Sequence, residues 1–146
     1  MDKLARQFGN AWLTLTAVLA VHVTDEALTD FLSFYNPSVL EIRAHLAWLP
    51  LPTFTFDVWL AGLIAGIAIL TALSVLAFRG RRAAAWLAYP YAAIMFANGC
   101  GHLGGSLYFG RWLPGSTSAP LLLLASAWLF VTARRVAGAP ANRAPA

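Results

Sequence analysis

Apolar residues run almost unbroken through four stretches of the chain, each close to the roughly 20 residues that cross a bilayer as a helix. The first extends from about Asn10 to Phe34 and is expected to end at Asn36-Pro37. The second covers about Asp57 to Phe78 and stops at Arg79-Gly80-Arg81-Arg82. The third covers about Ala83 to Tyr108, with a kink expected at Pro90, and the fourth about Ser118 to Val136. Between the first two lies Pro37 to Trp48, where Asn at a cap and Pro at the first helical position predict a new helix. Pro50 and Pro52 end it, leaving an amphipathic piece too short to span. The pattern therefore predicts an all-α integral membrane four-helix bundle over residues 1–137, with a short non-spanning interfacial helix between the first and second spans. Residues 138–146, rich in Ala and Pro, are expected to form a disordered tail.

Composition agrees with this pattern. Hydrophobic residues make up 60% of the chain and charged residues 11%, against roughly 25% charged in an average soluble domain. The net charge of +4 does not point to nucleic acid, because the basic residues flank the apolar stretches. Lys3 and Arg6 before an apolar run resemble a signal peptide. The run continues into His22, Asp25 and Glu26 without a small-residue cleavage site, so it reads as a retained helix. Cys100 lies in an apolar stretch and reads as packing, with no disulfide framework.

The basic residues also orient the chain. Lys3, Arg6, Arg79, Arg81, Arg82, Arg134, Arg135 and Arg143 fall on one side, and only Arg43 and Arg111 on the other. This asymmetry predicts cytoplasmic N- and C-termini in a multi-pass protein of a bacterial-type inner membrane. Trp48, Trp59, Tyr108 and Trp112 then fall near the outer boundary as an aromatic belt. Gly62/Gly66 and Gly101/Gly105 predict close helix approaches.

Candidate chemistry sits in three pairs four residues apart, a spacing that shares a helix face: His22 with Glu26, Glu41 with His45, and Asn98 with His102. Asp25 adjoins the first pair. At about 1.5 Å per residue, Glu26 and Asn98 each lie roughly 24 Å along an outward-running helix. Their groups should meet in the outer half of the membrane, with the Glu41/His45 helix as a lid and Tyr91 on the Asn98 face. The bland alternative is a structural hydrogen-bond network, or carboxylates that reach water at the interface. The functional reading makes His22, Asp25, Glu26, Asn98 and His102 catalytic and gives metal ligation to His22, Glu26, Glu41, His45 and His102. Such ligands suit iron, zinc or manganese. Membrane lipids, a lipophilic substrate and a membrane-protein or homo-oligomeric partner complete the expectations.

These residues resemble the H-x-x-E-E family of small bacterial membrane proteins. His22-Val-Thr-Asp25-Glu26 carries its motif with Asp in place of the first Glu. Asn98-Gly-Cys-Gly-His102 and the Tyr108-to-Gly115 segment ending in Pro114-Gly115, followed by Pro120, extend the likeness. The family carries no assigned reaction, so the resemblance implies a shared site and leaves its chemistry open. A fainter likeness to sterol-isomerase-type membrane domains implies metal-free acid–base work on a lipophilic substrate. A non-catalytic lipid-binding or accessory subunit is the remaining alternative.

Overall fold

The computed structural model describes residues 2–139, so the expectation of a disordered tail falls largely outside the described residues. Five helices account for most of the described chain: α1 (Lys3–Leu28), α2 (Phe31–His45), α3 (Phe56–Phe78), α4 (Arg82–Phe109) and α5 (Ala119–Ala137). No strand occurs among the described residues. Three helices, α1, α3 and α5, are long and apolar enough to cross a membrane. At 28 residues α4 is longer than any of them, but its Asn, His, Ser, Tyr and Gly content dilutes its apolar character.

The centre of the fold is α1, which packs against α3 on one side and α5 on the other, while α4 packs chiefly on α5. Contacts fix the directions. Trp12 Nε1 donates to the Leu70 carbonyl at 2.8 Å, and a Cβ at Gly9 would collide with the Phe78 ring, so α3 runs antiparallel to α1. Tyr91 bonds Thr16 at 3.2 Å and His102 meets Glu26 further along, so α4 runs parallel to α1. Phe8, Trp12, Leu15, Leu122 and Leu129 form the fully buried core between these helices.

The α1–α2 junction differs from the sequence expectation. Helix α1 stops at Leu28, well before Asn36-Pro37, because Asp30 adopts the left-handed region at φ 57°. Asp tolerates that conformation better than most residues. Thr29 closes the end, with its backbone N–H and hydroxyl both donated to the Asp25 carbonyl. Pro37 then lies inside α2 and does not start it. The Asn36 amide that was expected to cap a helix is otherwise engaged: it donates to the Phe54 carbonyl at 2.9 Å and accepts from the Phe54 N–H at 3.1 Å. That clasp ties α2 to the segment leading into α3. Helix α4 continues as one helix through Pro90.

Other expectations also change. Gly62, Gly66 and Gly101 have no neighbour within 4 Å of a Cβ position. Of the four expected glycines only Gly105 is close-packed, with a Cβ 2.8 Å from Leu113; close helix approaches fall at Gly9, and at Gly99, where a Cβ would sit 2.9 Å from Leu123. Cys100 is exposed and packs no core. Trp59 is buried against Phe31 and Phe56, whereas Trp48, Tyr108 and Trp112 are exposed as belt residues would be.

Candidate functional site

On α1, the four-residue spacing turns His22 and Glu26 toward the same interior face, and both are buried. Helix α4 brings His102 to the same level. The Glu26 Oε1 atom lies 3.5 Å from His22 Nε2 and 3.1 Å from His102 Nε2. The two imidazoles stand edge-to-face with centroids 4.8 Å apart, and Phe31 covers His102 at 5.6 Å. One ligand atom from each of the three residues lies within 4.8 Å of the others.

The far side of each imidazole decides what faces the centre. His102 Nδ1 lies 2.6 Å from the Pro114 carbonyl oxygen. A carbonyl only accepts, so Nδ1 carries the proton and donates. His22 Nδ1 lies 2.8 Å from the Ser118 hydroxyl. That hydroxyl sits 2.7 Å from Asp25 Oδ2 and 3.2 Å from the Gly115 carbonyl, both pure acceptors in this setting. Its single proton goes to one of them, so His22 Nδ1 is the donor to Ser118. In the neutral form of either ring, Nε2 is then a bare lone pair pointing at the Glu26 carboxylate. His22 Nε2 is correspondingly buried without a hydrogen-bond partner.

The loop between α4 and α5 builds this arrangement. Besides Pro114 and Ser118 it supplies Gly115, at φ +79°, where a Cβ would lie 2.7 Å from the His102 ring and 3.0 Å from Glu26 Cγ. Only glycine lets the loop press this closely on the site. Ser116 bonds Ser106 at 2.7 Å and the His102 carbonyl at 3.2 Å, while Ser106 accepts from the Leu113 N–H. The loop is therefore stitched to α4 at His102 and, one turn further on, at Ser106. Asp25 fixes its other end by accepting the Ser118 N–H at 3.0 Å.

Among the sequence candidates, His22, Glu26 and His102 converge, and Asp25 reaches them through Ser118. Glu41 and His45 do not. They pair with each other at 3.1 Å with side chains 78% and 76% exposed, because starting α2 at Phe31 turns that pair outward. In this fold they stand outside the cluster of His22, Glu26 and His102. Asn98 lies one turn before His102 with its Oδ1 buried and unpartnered. Tyr91 bonds Thr16 and tilts against Trp12, deeper in the bundle and away from the histidines. Sequence reasoning missed Ser118, Ser116, Ser106 and the carbonyl of Pro114. The available signal was the turn-forming run Pro114-Gly115-Ser116, whose chemistry only becomes apparent once the loop is folded onto His102.

Residues 12–129 match the family described as "protein of unknown function with HXXEE motif". The chain belongs to that HXXEE family. Its motif is His22 to Glu26, with Asp25 at the fourth place, so the motif residues are those of the buried centre. The shorter Asp25 carboxylate bonds Ser118 while Glu26 faces the imidazoles. No curated protein and no solved structure matches the chain, and the likeness to sterol-isomerase-type domains gains no support.

Proposed function

We propose that this HXXEE protein binds one divalent metal ion through His22, Glu26 and His102 and uses it on a lipophilic substrate drawn from the bilayer. The observation that carries the reading is the meeting of three electron-pair donors: two Nε2 lone pairs and a carboxylate in a buried space. Three such donors repel one another unless a cation lies between them. Two histidines and one carboxylate are a donor set that zinc and non-haem iron accept with positions left open for substrate. A tetrahedral site with bonds of about 2.0–2.1 Å separates neighbouring ligand atoms by about 3.3 Å, close to the 3.1 and 3.5 Å distances to Glu26. Hydrogen bonds from each Nδ1 to Ser118 and Pro114 are the outer partners that orient metal-bound imidazoles.

In this reading α1, α3, α4 and α5 are the four spans, and both termini are cytoplasmic, on the eight-to-two basic asymmetry. Helix α2 lies at the outer interface, since its 15 residues reach only about 22 Å against a hydrocarbon core of about 30 Å. The site then occupies the outer half of the membrane, where Asn98 Oδ1 is an acceptor for a substrate or a bound water. A second reading rests on the 3.1 Å His102–Glu26 contact: a proton in place of the metal makes the pair an acid–base centre.

Metal analysis of tag-free protein separates the two. The metal reading expects about one zinc, iron or manganese ion per chain, lost in His22→Ala and His102→Ala with the helix content unchanged. Metal-free protein that still binds and turns over a lipophilic substrate, and stops on Glu26→Gln, selects the acid–base centre. Variants that change thermal stability alone make the cluster structural.

A further inference from the structure

Beside the candidate centre, α2 and the C-terminal part of α4 leave a groove of about 930 Å³. That is within the usual range of about 300–1,000 Å³ for small-molecule sites. Phe34, Ile42, Phe109 and Leu113 make its walls largely apolar. Its inner wall includes Pro114, the residue whose carbonyl holds His102. Gly101, next to His102 in sequence, lines the groove with no atom within 4 Å of its Cβ position. The floor is thus open because a side chain is missing there.

The rim carries charges of both signs on opposite walls. Asp30, at the left-handed junction, and Glu41 lie on the α2 side, and Arg111 lies on the α4 side. The Arg111 guanidinium leans across the groove, 6.0 Å from the Phe34 ring centroid. Among the described residues every ion pair joins a histidine to a carboxylate, so Arg111 and Asp30 have none, while Glu41 holds His45. An apolar trough with an unpaired cation on one bank and an unpaired anion on the other complements a molecule of matching design.

We infer that this groove seats a zwitterionic amphiphile of the bilayer, a lipid with one hydrocarbon chain over Gly101 and an ammonium-phosphate headgroup at the rim. The phosphate faces Arg111 and the ammonium faces Asp30, so the headgroup bridges two charges that do not reach one another. The inference rests on the proposed lipophilic substrate and names its class, since the seat shares the Pro114 wall with His102.

The test titrates full-length protein in a neutral maltoside detergent with a single-chain lysophosphatidylethanolamine, read by native mass spectrometry. Uncharged monopalmitoylglycerol and anionic lysophosphatidylglycerol serve as comparisons. The zwitterion should bind most tightly. Gly101→Phe should weaken it by about tenfold or more, equivalent to about 1.4 kcal/mol, with metal content unchanged. Asp30→Asn and Arg111→Gln, at exposed positions, should each cost about two- to fivefold. If Gly101→Phe fails to fold, Ile42→Trp fills the same groove from the other wall and should give the same loss. Wild-type affinity in a folded groove-filling variant overturns the inference, and so does a zwitterion that binds no tighter than monopalmitoylglycerol. Loss of metal in His102→Ala with lipid binding retained is expected. Lipid binding to a protein that never takes up metal removes the metal reading and leaves the groove assignment standing.

Discussion

His22/Glu26 in α1 and His45/Glu41 in α2 are the same residue types at the same spacing, yet they have opposite fates. The first pair has side chains 1% and 5% exposed and shares its carboxylate with a third residue from another helix. The second is 76% and 78% exposed and closes on itself. An exposed pair of this kind stabilises its own helix by roughly 0.2–0.5 kcal/mol and can rotate away to solvent. The buried pair cannot, because Ser118 holds the back of the His22 ring and Pro114 the back of His102, which faces Glu26. Spacing on a helix makes a pair. Partners from elsewhere in the fold that set the proton positions make a site.

The largest break in this comparison should come from the proposed ligand atoms. His102→Ala removes one Nε2 and leaves Glu26 and His22 to face a cavity. Metal retention by the purified variant should vanish, whereas His45→Ala should retain the wild-type metal content in the same assay. Next in size is the serine that orients His22. Ser118→Ala deletes the acceptor for Nδ1 and one hydrogen bond to Asp25, and loss of such an outer partner lowers metal affinity by about 10- to 100-fold. Competition against a chelator of known affinity measures it directly. A smaller and differently directed change is expected at Gly115. A Cβ there meets His102 at φ +79°, so Gly115→Ala should cost about 1–3 kcal/mol, read as a lower melting temperature, and should push the loop off the site. Smallest of all, Glu41→Gln should shift stability by no more than about 0.5 kcal/mol and leave metal content alone.

Much of the helical framework was legible in the sequence because apolar run length is a strong signal. The bounds of α3, α4 and α5 lie within a residue or so of where polar and turn residues interrupt the pattern. The α1–α2 junction was not legible. Asn36-Pro37 is a strong helix-start signal, but Asn36 satisfies the backbone N–H and carbonyl of Phe54, and a long-range clasp leaves no local trace. The same displacement explains Glu41 and His45: a helix that begins at Phe31 carries them round to solvent. The approach of His22, Glu26 and His102 follows from matched depths on two helices of the same direction. Their tautomers depend on a loop hydroxyl and a loop carbonyl, and backbone carbonyls carry no sequence signature.

The α4–α5 loop has a consequence for how the molecule is made. Synthesis proceeds from the N-terminus, so α1 is complete long before residues 102–118 exist. During that interval His22, Asp25 and Glu26 have neither His102, nor Ser118, nor the glycine that closes over them. Asp25 and Glu26 lie in the last turn of α1, where a carboxylate resists insertion by less than the about 2.5–3.5 kcal/mol of an Asp at mid-helix, yet until the loop arrives they are unmatched. The last hairpin thus supplies the partners that secure the end of the first hydrophobic segment. Ribosome-bound chains that end before Pro114 should leave α1 extractable or open to protease, and chains that extend past α5 should lock it in place.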